Sequence, residues 1–307
     1  MEDLDETQWL KRTAAHEARV DTATAAHRQR RHDGRRHPVE DFLFTYYSFK
    51  PAQLRRWHPG AGRGLRSGGA APQRDWRYYT LVDDVVSIDA ADFVGARGDT
   101  LRFVRDLLER TASRPGRFGC FGLHEWAMVY RQSPTDVRHA DYPLRLGAAG
   151  TDAVVESHQI ACSHFDAYRF FTSPAVPLNA LSPTRAGQAA SEQPGCLHAG
   201  MDLYKWAYKL VPAVSSSLVM DCFELAREIR GLDMRAAPYD LRDLGYEPLL
   251  IETPEGKAQY AAEQRGFATR GLTLRRRLVA SIDQVWSSAV TDPTVSGQSA
   301  ASADVSS

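Results

Sequence analysis

The stretch LHAGMDLYKWAYKLV, residues 197–211, decides the fold because a helix of this composition has too much apolar surface to lie on the outside of a protein. At about 100° per residue, its ionisable side chains fall within one narrow arc. That polar stripe consists of His198, Asp202, Lys205 and Lys209. Apolar side chains flank the stripe on both sides. We therefore predict that this helix is packed on several sides and that Asp202 and Lys205 face a cleft rather than open solvent.

Hydrophobic periodicity in the rest of the chain predicts a mainly α-helical protein with a few short strands. Helices are expected over residues 100–110, 121–132, 213–231 and 255–286, with another beginning near residues 37–41. Strands are expected over residues 78–88 and 154–165, with a helix as the alternative for residues 154–165. Pro212 separates two of these helices, because proline can open a helix but cannot continue one.

Composition changes along the chain predict a single large helical domain between two terminal segments. Residues 1–36 are expected to form a flexible basic N-terminal arm, a helix that frays, ahead of a helical core domain at residues 37–286. A flexible Gly-rich connector, or a mobile loop over a site, is predicted at residues 60–75 within this core. Residues 287–307 are rich in Ser, Ala, Thr and Gly, so burial of this segment cannot offset its ordering entropy, and we predict a disordered tail.

The overall composition is that of an ordinary globular protein, with 307 residues, 43% hydrophobic and 25% charged. Its formal net charge of +0 excludes global steering toward nucleic acid, so DNA is a possible partner only through local basic patches. The start MEDLDE is acidic, and no apolar run approaches the length of a membrane span. The four cysteines form no Cys-x-x-Cys pair. These features predict a cytoplasmic protein with reduced thiols and no membrane partner.

Two groups of ionisable residues are candidates for chemistry. Within the predicted helix, Asp202 lies next to His198 and Lys205, and a lysine against apolar walls can lose its proton and act as a nucleophile. An exposed seam of ion pairs is the structural alternative. Glu125 stands in an otherwise apolar segment, where its unpaired burial would cost several kcal/mol. Pairing with an arginine and a catalytic role both remain open for Glu125.

Metal binding is a further possibility that the residues suggest but do not specify. Cysteines precede His124, His164 and His198 closely, yet at spacings unlike those of known zinc sites. A carboxylate and histidine di-iron site in a helical bundle would use His198 and Asp202 with Glu125 and His139. However, Lys205 stands where the heme-oxygenase-like di-iron pattern has a further histidine. We therefore assign neither a metal nor any other cofactor from the sequence.

Three stretches resemble a known family. They are HPVEDFLFTYYS at residues 37–48, CFGLHEWAMVYR at residues 120–131 and QPGCLHAGMDLYKW at residues 193–206. They are similar to actinobacterial proteins labelled 3-methyladenine DNA glycosylase, and the resemblance runs from about residue 37 to residue 277. It implies a DNA-repair N-glycosylase that releases alkylated bases.

A glycosylase needs a carboxylate to activate water, aromatic side chains to hold the extruded base and cations for the phosphates. Under the resemblance, the catalytic residues would be Asp202 or Glu125, with Lys205 as the alternative nucleophile and His198 beside them. The stacking residues would be Trp126, Tyr130 and Trp206, and the phosphate ligands Arg55, Arg56 and Arg185. Two other functions remain open: a helical metal-dependent oxygenase or hydrolase, and a non-catalytic protein that binds a small molecule or a partner.

Overall fold

The computed structural model describes residues 2–132 and 142–291, and it is mainly α-helical, as predicted. The helices are α1 (Glu6–His32), α2 (Phe42–Tyr46), α3 (Pro51–Leu54), α4 (Ala90–Ser113), α5 (Leu123–Ala127), α6 (Gly147–Glu156), α7 (Phe165–Tyr168), α8 (Gln188–Ser191), α9 (Leu197–Lys209), α10 (Ser216–Arg235) and α11 (Pro254–Thr291). The strands are β1 (Glu2–Leu4), β2 (Arg63–Arg66), β3 (Tyr79–Val82) and β4 (Val85–Ile88).

Helix α9 lies at the centre of the protein. It packs against α10 and α11, and α11 in turn packs along α4. Met201, Leu203 and Tyr204 of α9 are completely buried. The prediction that this helix is covered on several sides is confirmed, because its wide apolar arc contacts more than one neighbouring helix.

The other long helices begin at side chains that cap them. The Asp89 carboxylate accepts a hydrogen bond from the Asp92 backbone N–H at the start of α4. The Ser215 hydroxyl does the same for the Leu218 N–H in α10, so this helix begins three residues later than the sequence predicted. The predicted helices over 100–110 and 255–286 are both present, within α4 and α11.

A small four-stranded sheet with the order β1-β2-β4-β3 lies beside the helices. Residues 78–88, predicted as one strand, contain two antiparallel strands, β3 and β4. Residues 60–75 are not the predicted flexible connector, because they contain β2 and two short turns of 3₁₀ helix. Gly60 has a φ of +90°, and a Cβ there would lie 2.9 Å from the Ser215 Cβ. Glycine is needed here for a close approach to α10 and not for flexibility.

The N-terminal segment is helical, as predicted, but it packs on the core and is not a fraying, flexible arm. Asp5 and Gln8 form a capping box at the start of α1, and Trp9 and Val20 are buried. The Arg19 guanidinium donates hydrogen bonds to carboxylates of α10. A sparse apolar stripe hidden among alanines and charges was enough to dock α1 on the core.

Three further predictions about secondary structure are corrected. Residues 154–165 form no strand: α6 extends to Glu156, and Ile160 makes only an isolated bridge. Helix α5 ends at Ala127, short of the predicted residue 132. Helix α11 continues to Thr291, so residues 287–291 are helical, whereas the rest of the predicted tail lies outside the described residues. The exposed face of a long helix needs no apolar residues, which explains why composition mislocated its end.

Among the helices that the structure describes, none has the length and apolar character to cross a bilayer.

Candidate functional site

Two clusters of buried histidine and carboxylate side chains lie in the middle of the helical core. The first cluster consists of His124 on α5, His198 on α9 and Asp233 on α10. One donor atom from each of these three residues lies within 4.8 Å of the other two. All three residues are buried, and Asp233 is completely so. The tight packing of α9 on α10 brings residues distant in sequence to one point.

The first cluster leaves two polar atoms without a conventional partner. The His124 Nε2 atom lies 3.1 Å from the Asp233 Oδ1 atom, which is close enough for an ion pair. Neither atom forms a hydrogen bond within the part of the chain that the structure describes. Buried polar atoms are nearly always satisfied, so a proton on His124 Nε2 or a metal ion between the two atoms would account for this pair.

The two histidines of this cluster differ in their electrostatic surroundings. Burial disfavours the imidazolium form of both. At His124 the neighbouring Asp233 carboxylate outweighs burial and raises the pKa. At His198 burial dominates, the charge of His124 adds to it, and the pKa falls well below its ordinary value. His198 is therefore a neutral imidazole, which is the form that binds metals.

An arginine–carboxylate pair borders the first cluster. The Arg230 Nη1 atom donates to Glu125 Oε1 at 2.9 Å, and both side chains are buried. The same nitrogen lies 3.4 Å from Asp233 Oδ2. The Arg230 guanidinium also covers the Phe42 ring. The sequence left pairing with an arginine or catalysis open for Glu125, and the structure shows the pairing.

The second cluster consists of His164, Glu192 and Asp202. The His164 Nε2 atom lies 3.2 Å from Glu192 Oε1 and 3.5 Å from Asp202 Oδ2. Burial opposes the charged imidazole, but the two carboxylates outweigh it and raise the pKa of His164 to about 10. The rings of His164 and His198 are 5.3 Å apart, so the two clusters are adjacent.

The second cluster differs from the first because protein groups already occupy its carboxylate oxygens. The Tyr47 hydroxyl donates to Asp202 Oδ1 at 2.9 Å, and the Lys205 ammonium donates to Asp202 Oδ2 at 2.7 Å. The Gln188 amide donates to Glu192 Oε1. These donors satisfy the carboxylate oxygens of the second cluster without a metal ion, although neither nitrogen of His164 forms a hydrogen bond among the described residues. Of the two clusters, the first is the better fit for a metal.

A cleft of about 1050 Å³ reaches the first cluster from the surface. His198 and Glu125 both line it, so these two candidate site residues converge on one cavity. Asp202 and Lys205 are not on open surface, but they do not line the cleft either. They lie behind Asp166, which does line the cleft and lies 3.5 Å from the Lys205 ammonium.

The aromatic residues predicted to stack a base do not line this cleft. Trp126 is completely buried and its Nε1 donates to the Ala236 carbonyl. Tyr130 is buried and its hydroxyl donates to Glu156. The Trp206 ring contacts the Lys205 ammonium, away from the cleft lining. Each of the three is a packing residue, because a large ring placed among apolar helices stabilises the core.

The predicted phosphate ligands also lie elsewhere. Arg55 is paired with Glu17 and Asp21 of α1. Arg56 lies over the Trp76 ring and Arg185 over the Phe165 ring. None of these three arginines is among the residues that line the described part of the cleft. The arginines that do line it are the buried Arg230 and three exposed ones, Arg31, Arg35 and Arg36, at the C-terminal end of α1 and just beyond it.

Three cysteines surround a small cavity of about 20 Å³ behind His124 and His198. They are Cys120, Cys162 and Cys196. Burial raises the pKa of all three thiols. Within the described residues, no cysteine belongs to either cluster of candidate metal ligands. The closeness of these cysteines to histidines in the sequence therefore indicates shared walls of one cavity and not a cysteine-containing metal site.

Sequence reasoning missed Asp233, Glu192 and the role of His164. A usable signal existed only for Asp233, which follows the buried Ala226 and Ile229 at helical spacing and so falls on the core face of α10. A charge at such a position needs a partner. Glu192 lies outside any predicted helix, and nothing local marks it. His139, which the sequence suggested as a metal ligand, lies outside the described residues.

Comparison with known protein families, with curated proteins and with solved structures finds no match for this chain. Its own geometry therefore defines it: a mainly α-helical protein with a set of two histidines and one carboxylate beneath a surface cleft.

Proposed function

We propose that this protein is a metal-dependent enzyme, an oxygenase or a hydrolase, with its metal held by His124, His198 and Asp233. The observation that carries the proposal is the convergence of these three donors within 4.8 Å at the base of the cleft, where His124 Nε2 and Asp233 Oδ1 form no hydrogen bond in the described structure. Two histidines and one carboxylate are typical ligands of non-haem iron in oxygenases and of zinc in hydrolases.

The surrounding residues support this assignment. Two donors bound to one metal at adjacent positions are about 3 Å apart, given metal–ligand distances near 2.1 Å. The 3.1 Å between His124 Nε2 and Asp233 Oδ1 fits that spacing. His198 lines the cleft, so ligand positions opposite the protein donors would face substrate. A bound metal would supply Lewis acidity to a water or a substrate oxygen, or a site for oxygen chemistry if it is iron.

Glu125 and Arg230 would act as positioning groups beside this metal. Arg230 links Glu125 to Asp233 and so fixes the orientation of one ligand. Hydrogen-bonded partners of this kind hold ligands in place and change metal affinity when removed. Because Glu125 also lines the cleft, its carboxylate is placed to orient a polar group of the substrate.

Metal binding under equilibrium dialysis tests the proposal. Wild-type protein dialysed against Zn²⁺, Mn²⁺ or anaerobic Fe²⁺ should retain about one ion of the preferred metal per chain. His198→Gln and Asp233→Asn should lose it. His16→Gln is the matched control, since His16 is an equally buried histidine outside both clusters that hydrogen-bonds the Leu54 carbonyl. Wild-type protein that retains no metal, or a His198→Gln variant that binds as the wild type does, would overturn the proposal.

The preferred metal decides which chemistry is assayed. An iron form should consume dioxygen in the presence of substrate, and a zinc form should hydrolyse activated esters or phosphoesters. Circular dichroism of each variant separates loss of metal from loss of fold.

DNA N-glycosylase activity is the second candidate, in line with the resemblance of the three sequence stretches. One observation favours it: Arg31, Arg35 and Arg36 share the cleft with Glu125 and with an aromatic wall. Release of free base from alkylated duplex DNA by wild type and Glu125→Gln tests it. A glycosylase would keep its activity in chelator, which distinguishes it from the metal-dependent enzyme.

A further inference from the structure

The mouth of the cleft has a marked charge asymmetry. Its lining includes three acids and three exposed arginines. The acids are all neutralised: Asp41 by Arg30 and His27, Glu125 by Arg230, and Asp166 by Arg169 and Lys205.

The arginines are not neutralised in the same way. No ion pair or hydrogen bond is found for the side chains of Arg31 and Arg36 within residues 2–132 and 142–291. Arg35 pairs only with Asp33, and its side chain remains 69% exposed. Among the described residues, the mouth therefore carries uncompensated positive charge that faces into a concave site, where it attracts anions.

Positive charge along the middle of α1 is largely cancelled, whereas Lys11 and Arg12 lie exposed near its N-terminal end. Arg19 pairs with Asp221 and Glu224 of α10, and Arg28 with Asp21. No continuous basic track leads away from the cleft along this helix, as a bound duplex would require. The charge distribution favours a small anion over a nucleic acid.

The cleft wall next to these arginines is aromatic. Phe42 and Tyr46 stack with ring centroids 5.1 Å apart, and His27 stacks on Phe44 at 4.1 Å. Phe170 lines the cleft as well. A wall of rings beside a cationic mouth fits a molecule with a flat apolar body and an acidic end.

We propose that the cleft binds a small aromatic or apolar organic anion, whose carboxylate or phosphate is held by Arg31 and Arg36. Its apolar body lies along the Phe42 and Phe170 wall, toward His198. This inference rests on the proposed function, since it names the substrate class for the same metal site. Arginine is suited to this task because its fork of N–H donors matches a carboxylate or a phosphate.

Calorimetric titration with benzoate and phenyl phosphate, and with neutral benzyl alcohol as the uncharged probe, tests the inference on the full chain. Wild type should bind one or both anions and should bind benzyl alcohol much more weakly. Arg31→Gln/Arg36→Gln should weaken anion binding by at least about tenfold, as loss of two charge-assisted hydrogen bonds requires. The matched control is Lys11→Gln/Arg12→Gln, which removes two exposed charges about 28 Å away along the same helix.

The outcomes separate this inference from the proposed function because metal content is measured in the same samples. Full metal content without anion binding, or equal effects of the two double variants, would overturn the inference alone. Anion binding by a protein that holds no metal would support the inference and overturn the proposed function. Binding of a short DNA duplex at moderate salt, with no binding of the small anions, would overturn the small-molecule assignment in favour of nucleic acid.

Discussion

The Lys205 ammonium lies 2.7 Å from the Asp202 carboxylate on the preceding turn of α9, and the two side chains stabilise each other inside the core. Burial opposes both charges, yet His164 first and then Lys205 lower the pKa of Asp202, and Asp202 raises the pKa of Lys205. The Lys205 ammonium thus neutralises the buried Asp202 carboxylate, so this carboxylate needs no metal ion as a counter-ion. It is a structural partner of Asp202 and not a free nucleophile.

Lys205→Met should therefore lower the free energy of unfolding by about 2–4 kcal/mol, since it leaves Asp202 buried with one counter-ion fewer. Lys209→Met is the matched control. Both ammonium groups contact the Trp206 ring, but Lys209 is exposed and no ion pair is found for it among the described residues. Its loss should cost less than about 0.5 kcal/mol. Urea denaturation measures both, and similar costs would show that the ion pair contributes nothing.

Trp126→Phe should destabilise the fold without weakening metal or anion binding. The substitution leaves a small cavity and removes the donor to the Ala236 carbonyl, so a loss of about 2–3 kcal/mol is expected. Thermal unfolding and the dialysis and calorimetry described above measure the two effects separately. A stable Trp126→Phe variant with impaired binding would restore the stacking role that the sequence suggested.

Removal of residues 1–32 should destabilise the whole protein and not merely detach a basic arm. The deletion exposes the apolar surface that Val20 covers and removes strand β1 from the sheet. We expect insoluble protein or a thermal midpoint lowered by at least about 10 °C, given several kcal/mol of lost packing. The Lys11→Gln/Arg12→Gln variant should unfold like wild type. A soluble deletion variant with an unchanged midpoint would show that α1 is an independent arm.

His58 should make stability depend on pH in mildly acidic solution. Burial, with a smaller contribution from Arg56, lowers the pKa of His58 to about 3. The unfolded state takes up a proton at His58 near pH 6.5, and the folded state does not. The contribution of His58 to the free energy of unfolding is therefore fully present above pH 6.5 and is lost as the pH falls toward 3. The loss approaches about 1.4 kcal/mol per pH unit for one proton.

The His58→Gln variant should flatten this pH dependence between pH 6.5 and pH 4. Gln keeps a polar side chain near the Tyr79 hydroxyl, which His58 Nδ1 contacts at 3.0 Å, but it does not titrate. Urea midpoints measured across this range provide the readout, with His32→Gln as the control at an exposed position. Parallel profiles for wild type and His58→Gln would contradict the prediction.

Local physical patterns in the sequence were sufficient for the helical class and the burial of α9. The arc that contains Met201, Leu203 and Tyr204 is too wide for one interface, so periodicity alone required several neighbours. The same argument placed α4 and α11. Periodicity failed for α1, because whether a sparse apolar stripe packs on the core depends on the surface that the core presents to it. It also failed for residues 154–165, because the choice between strand and helix there depends on which neighbouring segments are available for pairing.

The membership of the site was decided only by the tertiary structure. His198 and Glu125 stood out in the sequence because each is ionisable within an apolar segment. Nothing local showed that His198 would meet His124 and Asp233, or that Lys205 would be the counter-ion of Asp202 beside His164. Such contacts join residues from different helices, and their geometry follows from how α9 packs on α10. Sequence periodicity determines which face of a helix is buried, whereas only the assembled core determines what that face contacts.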